Sequence, residues 1–434
     1  MRNADSPVAL RPSPGLRADF SWSLAGGALY AFAQWLLLIA MARWGSPRMV
    51  GEWALALSVT APVFIFAQFK LRFVQAAEVA DEYPWQSYVA LRARSMLLSL
   101  AAVVLIAAVF YRDTVGTVII LIGVGKAFEG ICDLIYGRQQ RALLMRGITV
   151  ALVRRAILVL AAGTIAVWYS RSAVWTSAAV MAAQALGLFL DWRLAPFPMH
   201  AAWMWSLAPD KRIAALARRT LPLGVATALG SLQVNVPRLV LDSAVSREAV
   251  GSFSLLAYPF LLGGLVITSL CNIALPRLTR RAASGEWRVF RRSVLLLCIA
   301  GAALWAAGVL TTALLGDAVL RLLYPPAYSA FTTELRWMSV AVGFSWCFVF
   351  IGTALDAVRE YRPQPWIFGA STLVIASSCV LLVPRYGLLG AIWGMLAGYG
   401  VEAGLLLLTL AIVLRHTTAN GVTPVGGRHA AEVR

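Results

Sequence analysis

The sequence contains little charge. Asp, Glu, Lys and Arg make up only 13% of its 434 residues, whereas apolar side chains make up 60%. Soluble domains carry about a quarter charged residues, so this composition excludes a disordered chain and an ordinary soluble enzyme. It favours a membrane protein.

Acidic residues are scarce relative to basic ones. The chain has 20 Asp and Glu against 38 Lys and Arg, which gives a formal net charge of +18. In a soluble protein such an excess favours nucleic acid binding. Here the basic residues are scattered between apolar stretches, so we expect a polytopic membrane protein without a nucleic acid partner.

Cysteine and histidine are also rare. The five cysteines are isolated, odd in number and without a CxxC motif, so they predict neither a disulfide framework nor a zinc site. They are Cys132, Cys271, Cys298, Cys347 and Cys379. The three histidines lie outside the apolar stretches, so we expect no metal site and no resident cofactor.

Apolar stretches long enough to cross a bilayer as helices, about 20 residues, recur along the chain. The predicted spans are 22–42, 50–69, 93–111, 114–136, 148–169, 173–192, 220–241, 251–275, 293–315, 331–353, 365–384 and 388–413. The first is too long for a signal-peptide core and is expected to be retained. The sequence therefore predicts an all-α polytopic membrane protein with about 12 transmembrane helices.

Lys and Arg are distributed unevenly between the two sides of this topology. With the N-terminus in the cytoplasm, about two-thirds of the basic residues fall on the cytoplasmic side. That side includes Arg72, Arg92 and Arg94. The distribution predicts that both termini are cytoplasmic.

A short motif occurs twice. Segment 46–55, before the second predicted span, is similar to segment 246–255, before the eighth. Six helices return the chain to the side that it entered, so the two halves have the same orientation. This predicts two six-helix lobes related by a pseudo-two-fold axis along the membrane normal.

The predicted lobes are residues 1–218, which include a basic linker, and residues 219–434, which end in a short cytoplasmic tail. The linker, residues 196–219, carries Lys211, Arg212 and two further arginines. We expect it to lie partly as an interfacial helix.

Diffuse motifs over nearly the whole chain carry a family resemblance. They are Val50-Gly51-Glu52-Trp53, Tyr136-Gly137-Arg138-Gln139-Gln140, Leu221-Pro222-Leu223-Gly224, Val250-Gly251-Ser252-Phe253, Leu275-Pro276-Arg277, Leu322-Leu323-Tyr324-Pro325-Pro326-Ala327-Tyr328 and Pro384-Arg385-Tyr386-Gly387-Leu388-Leu389-Gly390-Ala391. With these segments the chain resembles the polysaccharide-transport (O-antigen-flippase-like) branch of the multidrug/oligosaccharidyl-lipid/polysaccharide exporter superfamily.

The resemblance implies a function. Similar proteins carry undecaprenyl-diphosphate-linked oligosaccharides across the bacterial inner membrane, between two lobes whose cavity opens alternately to each side. It thus implies a multi-pass inner-membrane flippase for O-antigen or lipopolysaccharide precursors. The implied partners are the lipid-linked oligosaccharide, membrane lipids, and the glycan polymerase and glycosyltransferases of the same pathway.

The predicted span 148–169 contains two adjacent arginines, Arg154 and Arg155. A helix starting after Arg155 would have an apolar run of about 14 residues, roughly 21 Å, too short to cross. Both are therefore expected inside the membrane boundary, one facing a cavity and the other reaching toward head groups. Arg binds phosphate through two parallel hydrogen bonds, so Arg154 and Arg155 are the first candidates for diphosphate binding. Alternatively, both reach to lipid head groups.

The predicted span 114–136 contains Lys126, Glu129 and Asp133 on one helix face, because they are three and four residues apart. Lys126 can pair with Glu129 and support diphosphate binding. Glu129 or Asp133 can bind H⁺ or Na⁺ and couple its gradient to transport. The alternative is an ion pair that only fixes the helix against its neighbours.

Three further charged residues lie in later spans. Arg238 follows a proline in span 220–241, and Arg336 lies near the outer end of span 331–353. Both are candidates for guiding the diphosphate outward, against an alternative role as interfacial anchors. Glu402, inside the last span, is a further candidate for ion coupling, against a hydrogen-bonded helix contact.

Two other functions are alternatives to a flippase. A cation-coupled small-molecule (drug) exporter of the same superfamily would need an acidic rather than a basic cavity. A membrane-embedded glycan polymerase or glycosyltransferase is a more distant alternative, because the longest outer segment, 316–330, has one acid, Asp317. Gly125-Lys126 lacks the upstream glycine and the Ser or Thr of a phosphate-binding loop. We therefore expect no enzymatic activity.

Overall fold

The computed structural model describes residues 16–77, 83–142, 144–197, 211–360 and 362–420, and the regular elements in these ranges are helices. They are α1 (Leu16–Trp44), α2 (Pro47–Ala67), α3 (Leu71–Ala77), α4 (Trp85–Phe110), α5 (Thr114–Arg141), α6 (Met145–Ser170), α7 (Ala173–Arg193), α8 (Lys211–Ala244), α9 (Arg247–Ala283), α10 (Trp287–Leu323), α11 (Thr332–Ala357), α12 (Gln364–Tyr386) and α13 (Leu388–Asn420). A 3₁₀ turn, Pro326–Phe331, precedes α11.

Each predicted span corresponds to one long helix; the additional helix, α3, is short. Among the described helices, ten are long and apolar enough to cross a membrane. The long helices outside that set are α5 and α8. The prediction of an all-α polytopic membrane protein is confirmed.

The repeated motif has a physical explanation at two helix starts. The hydroxyl of Ser46 accepts a hydrogen bond from the backbone N–H of Met49, at 3.1 Å. Ser246 does the same for Ala249, at 3.2 Å. Each serine satisfies an N–H group that has no partner inside the helix. The repeat therefore marks capped starts of α2 and α9.

The chain divides into two compact units. Unit 1 is Met1–Asn235 with Val250–Ser252, and unit 2 is Val236–Ala249 with Phe253–Arg434. The lobe boundary predicted after residue 218 falls inside α8, which runs without interruption from Lys211. That boundary stays a prediction.

The predicted linker is partly helical. Residues 211–219 form the start of α8, where Ile213 and Leu216 are buried against α4. Lys211, Arg212, Arg218 and Arg219 are exposed. This segment therefore has one apolar and one basic face, as expected of an interfacial helix. Residues 198–210 lie outside the described part of the chain, as do the N-terminal 15 residues and the tail after 420.

In unit 1, α5 is surrounded by other helices. It packs against α2, α3, α4, α6 and α7. In unit 2, a buried cluster joins α9, α10, α11, α12 and α13 around Leu278, Phe290, Leu355 and Ile367. Polar residues on α5 therefore face protein on several sides, where a charge needs a partner.

Candidate functional site

A stripe of polar residues runs along α5. Its members are Lys126, Glu129, Asp133, Tyr136 and Gln140. Their alternating spacings of three and four place them on one side of the helix, over a length of about 21 Å. Side chains from α1, α3, α4, α6 and α7 meet this stripe.

The deepest part of the site is one carboxylate shared by two arginines. Asp191, in the last turn of α7, contacts Arg154 through Oδ1 and lies 2.9 Å from a guanidinium nitrogen of Arg155 through Oδ2. The side chains of Arg155 and Asp191 are both 2% exposed, whereas Arg154 is partly exposed. Tyr136 donates a hydrogen bond of 2.6 Å to Oδ2 of Asp191.

This arrangement corrects one prediction. The sequence suggested that Arg154 and Arg155 point apart, one to a cavity and one to head groups. Instead, both reach the same carboxylate. Both lie in the third turn of α6, which begins at Met145, and their depth in the membrane stays a prediction.

Two local features support the pairing. A carboxylate near a helix C-terminus, such as Asp191, is disfavoured by the helix dipole, so the arginines offset an unfavourable position. Gly187, one turn earlier on α7, leaves room for the guanidinium. A Cβ at Gly187 would lie 3.2 Å from Nε of Arg155.

A second shared carboxylate lies on α5. Asp133 is 3.3 Å from Arg72, on α3, and 3.3 Å from Arg92, on α4. Arg72 also donates a 3.0 Å hydrogen bond to the amide oxygen of Gln140. The charge distribution placed Arg72 and Arg92 on the cytoplasmic side. In the structure both are part of an internal cluster, and the Arg92 side chain is only 1% exposed.

Tyr136 lies between the cluster around Asp191 and the cluster around Asp133. Its ring centroid lies 5.8 Å from the guanidinium carbon of Arg72 and 5.8 Å from that of Arg155. We call the combined group the arginine network. It consists of Arg72, Arg92, Arg154, Arg155, Asp133, Asp191, Tyr136 and Gln140. Four arginines against two carboxylates leave a formal excess of two positive charges.

Several donors of the network are not used. Among the described residues, Nε of Arg154, Nε of Arg155, and Nε and one terminal nitrogen of Arg92 are buried without a hydrogen-bond partner. An unsatisfied buried donor on a charged group is costly. The network therefore has capacity for additional acceptor oxygens.

Next to the network lies a neutral ion pair. Lys126 is 2.8 Å from Glu129, which confirms the predicted pairing. Tyr30, on α1, donates to the other oxygen of Glu129 at 3.3 Å. Gln184, on α7, donates to the Tyr30 hydroxyl at 3.0 Å. Glu129 is therefore held directly by side chains of α5 and α1, and Gln184 on α7 holds Tyr30 in turn.

The remaining candidates lie in unit 2. Arg238 donates to the Ser254 hydroxyl at 2.8 Å, and its guanidinium carbon is 5.5 Å from the Phe253 ring centroid. Arg336 is exposed and donates to the carbonyl of Ala313 at 3.1 Å. Glu402 interacts electrostatically with Tyr399, which also interacts with Arg238. The hydrogen bonds anchor Arg238 and Arg336 locally.

Sequence reasoning missed Asp191, Tyr136, Arg72 and Arg92. A signal for Asp191 exists in the helical hairpin of α6 and α7, whose connection is two residues long. Residues at similar distances from that turn lie side by side, and Asp191 is only two to three residues farther from it than Arg154 and Arg155. The same signal exists for Arg92, because α4 and α5 form a helical hairpin with a three-residue connection, and Arg92 and Asp133 lie at nearly equal distances from it. No comparable local signal identifies Arg72, which lies on α3.

Within the described ranges, no group of three or more His, Cys, Asp or Glu side chains is arranged to hold a metal ion. The described side chains of the site in unit 1 offer guanidinium, ammonium, carboxylate, phenol and amide groups. Guanidinium groups in surplus bind anionic oxygens.

The fold is that of a known class of membrane transporters. A multidrug resistance MATE family transporter of the MOP superfamily, in an inward-facing conformation, matches with a TM-score of 0.66 at 14% identity, covering 96% of this chain and 98% of that one. The lipid II flippase MurJ, in an inward closed conformation, matches with a TM-score of 0.71 at 11% identity, covering 90% of this chain and 87% of that one.

A MOP superfamily transporter from Pyrococcus furiosus matches with a TM-score of 0.61 at 14% identity, covering 94% of this chain and 97% of that one. In sequence, the capsular polysaccharide biosynthesis protein CapF of Staphylococcus aureus is 27% identical over 380 residues, covering 86% of this chain and 93% of that protein. No family model matches the chain. These likenesses agree with the resemblance drawn from the motifs: the chain has the fold of MOP superfamily transporters and is similar in sequence to a capsular polysaccharide biosynthesis protein.

Proposed function

We propose that this protein is a flippase that moves a lipid-linked oligosaccharide, carried on undecaprenyl diphosphate, across the bacterial inner membrane by alternating access. The observation that carries the proposal is the charge excess of the arginine network. A diphosphate esterified at both ends has two negative charges, which match the two surplus positive charges of the network. The CapF relative supports a polysaccharide precursor as the cargo.

The network suits a cargo that binds and leaves. Asp133 and Asp191 hold the guanidinium groups in place when no phosphate is bound, which lowers the cost of unpaired buried arginines. The unused nitrogens of Arg92, Arg154 and Arg155 provide donors for phosphate oxygens. Arg154 and Arg72 are the partly exposed arginines of the network, so they are placed to meet the diphosphate first.

The other candidate residues have subordinate roles. Lys126 adds positive charge beside the network, and Arg238 and Arg336 help to pass the diphosphate outward within unit 2. Glu129 couples transport to H⁺ or Na⁺, with Asp133 and Glu402 as further candidates. Both termini are cytoplasmic, and the glycan polymerase and glycosyltransferases of the same pathway supply and consume the cargo.

The matched MATE structures favour a second candidate, a cation-coupled exporter of small molecules. A cationic drug requires acidic walls, whereas the network has more arginines than carboxylates. A membrane-embedded glycan polymerase is a third and more distant candidate. Efflux of a cationic dye by the purified protein would favour the exporter.

The direct test uses the full chain in proteoliposomes that contain a fluorescent undecaprenyl-diphosphate-linked oligosaccharide. Transport is measured as the change in the fraction of fluorescence that a membrane-impermeant reductant destroys. We expect the Arg154→Gln/Arg155→Gln variant to lower the transport rate at least about tenfold. This factor corresponds to the loss of one hydrogen bond to a charged group. Wild-type transport in this variant would overturn the site.

The matched control is Arg321→Gln. Arg321 pairs with Asp317 on the surface, where both side chains are largely exposed. An exposed pair contributes little, so transport should be unchanged. A second variant, Arg155→Gln/Asp191→Asn, replaces the buried ion pair with a neutral polar pair. It distinguishes a requirement of transport for the arginine charge from a loss of transport caused by misfolding.

A further inference from the structure

A cavity of about 870 Å³ lies within unit 1, outside the arginine network. Side chains from the end of α2, from α4 and from the start of α8 line it, among them Phe66, Leu98, Ala102 and Ala214. Its volume is in the range of cavities that bind a ligand. Leu98 is 72% exposed, so the cavity opens along this edge of α4.

The lining residues include two cations, Arg94 on α4 and Lys211 at the start of α8. The lining is otherwise predominantly apolar. From Arg94 to Ala102 the apolar wall extends along α4 for about 12 Å. A ligand that fits this wall has an anionic group at one end and hydrocarbon over the rest.

The cavity is separate from the arginine network. Arg92 and Arg94 are two positions apart on α4, so their side chains leave the helix about 200° apart. Arg92 contacts Asp133 on one side, whereas Arg94 lines the cavity on the other. A diphosphate held by the network cannot place the same phosphate at Arg94.

We propose that this cavity binds an anionic membrane phospholipid of the inner leaflet, with its phosphate at Arg94 and Lys211 and an acyl chain along α2 and α4. The charge complementarity favours a phosphate head group. In the orientation predicted from the basic residues, Lys211 lies at the cytoplasmic surface, where anionic lipids attract Lys and Arg. The bound lipid fixes the start of α8 against α2 and α4.

The test is lipid retention by the purified full-length protein in detergent, measured by native mass spectrometry. The probe lipids are dioleoyl phosphatidylglycerol and dioleoyl phosphatidylcholine, offered together and without any glycan substrate. We expect selective retention of phosphatidylglycerol by the wild type, and about tenfold weaker retention after Arg94→Gln or Lys211→Gln. Equal retention of both lipids would overturn the proposal.

Adjacent residues of α4 give a matched pair of variants. Ala102→Trp fills the cavity and should abolish phosphatidylglycerol retention. Ala101→Trp places the same side chain on an exposed position that does not line the cavity, and should retain the lipid. The charge control is Arg218→Gln, an exposed position outside the cavity. Unchanged retention in Ala102→Trp, or an equal loss in both tryptophan variants, would contradict the assignment.

Competition with undecaprenyl phosphate identifies the occupant. Displacement of phosphatidylglycerol by an equimolar amount of undecaprenyl phosphate would assign the cavity to the cargo and overturn the phospholipid proposal. Because retention is measured without transport, failure here leaves the flippase function untouched. The arginine network variants, in turn, should retain phosphatidylglycerol even where they lose transport.

Discussion

The carboxylate of Asp191 lies 2.9 Å from the guanidinium of Arg155, and each side chain is 2% exposed. Arg154 and Tyr136 contact the same carboxylate. Removing one partner of a buried ion pair destabilises a protein strongly. Replacing both partners with apolar side chains changes the stability much less.

Asp191→Ala should destabilise the protein by about 3–5 kcal/mol, because it leaves Arg155 as a buried charge without its carboxylate. The paired replacement Arg155→Met/Asp191→Leu should be closer to the wild type in stability, although it removes one proposed phosphate ligand. Thermal unfolding in detergent measures both. Equal destabilisation by the two variants would contradict the ion-pair account.

Tyr136→Phe should lower stability by about 1–3 kcal/mol, since the 2.6 Å hydrogen bond to Asp191 is lost inside the protein. The control is Tyr169→Phe, because the Tyr169 side chain is 83% exposed. We expect that control to unfold at the wild-type temperature. A Tyr136→Phe variant as stable as the control would show that the phenol does not hold Asp191.

Glu129→Gln should abolish the response of transport to an imposed proton or sodium gradient while retaining transport down the cargo gradient. The amide keeps the size of Glu129 and its contact with Tyr30, but it cannot bind a proton or cation as a carboxylate does. Proteoliposomes with and without the gradient provide the measurement. Asp317→Asn, at an exposed acid, is the control, and a gradient response that persists in Glu129→Gln would exclude this residue.

Ser46→Ala and Ser246→Ala should each lower stability by about 1 kcal/mol, because each removes the side chain that caps a helix start. Similar effects are expected because the two serines make the same contact in α2 and α9. Ser377→Ala is the control, since that exposed hydroxyl bonds within its own helix. Thermal unfolding of the three variants tests whether the repeated motif acts through capping.

Much of the fold is local and could be predicted. Apolar length predicted each long helix, and spacing along α5 predicted the pairing of Lys126 with Glu129, which are one turn apart. Arg154 and Arg155 were placed within their helix because a later start would leave too few apolar residues. Each of these inferences depends on neighbours in sequence.

The sequence by itself determined that this protein is a helical membrane protein, where its helices lie and which charges they carry, because hydropathy and helical spacing are properties of contiguous residues. Only the tertiary structure decided that Asp191 joins Arg154 and Arg155, and that Arg72 and Arg92 meet at Asp133. The physical reason is that a partner on another helix depends on how both helices are rotated and shifted when they pack. Packing thus turned scattered basic residues into one network with surplus positive charge.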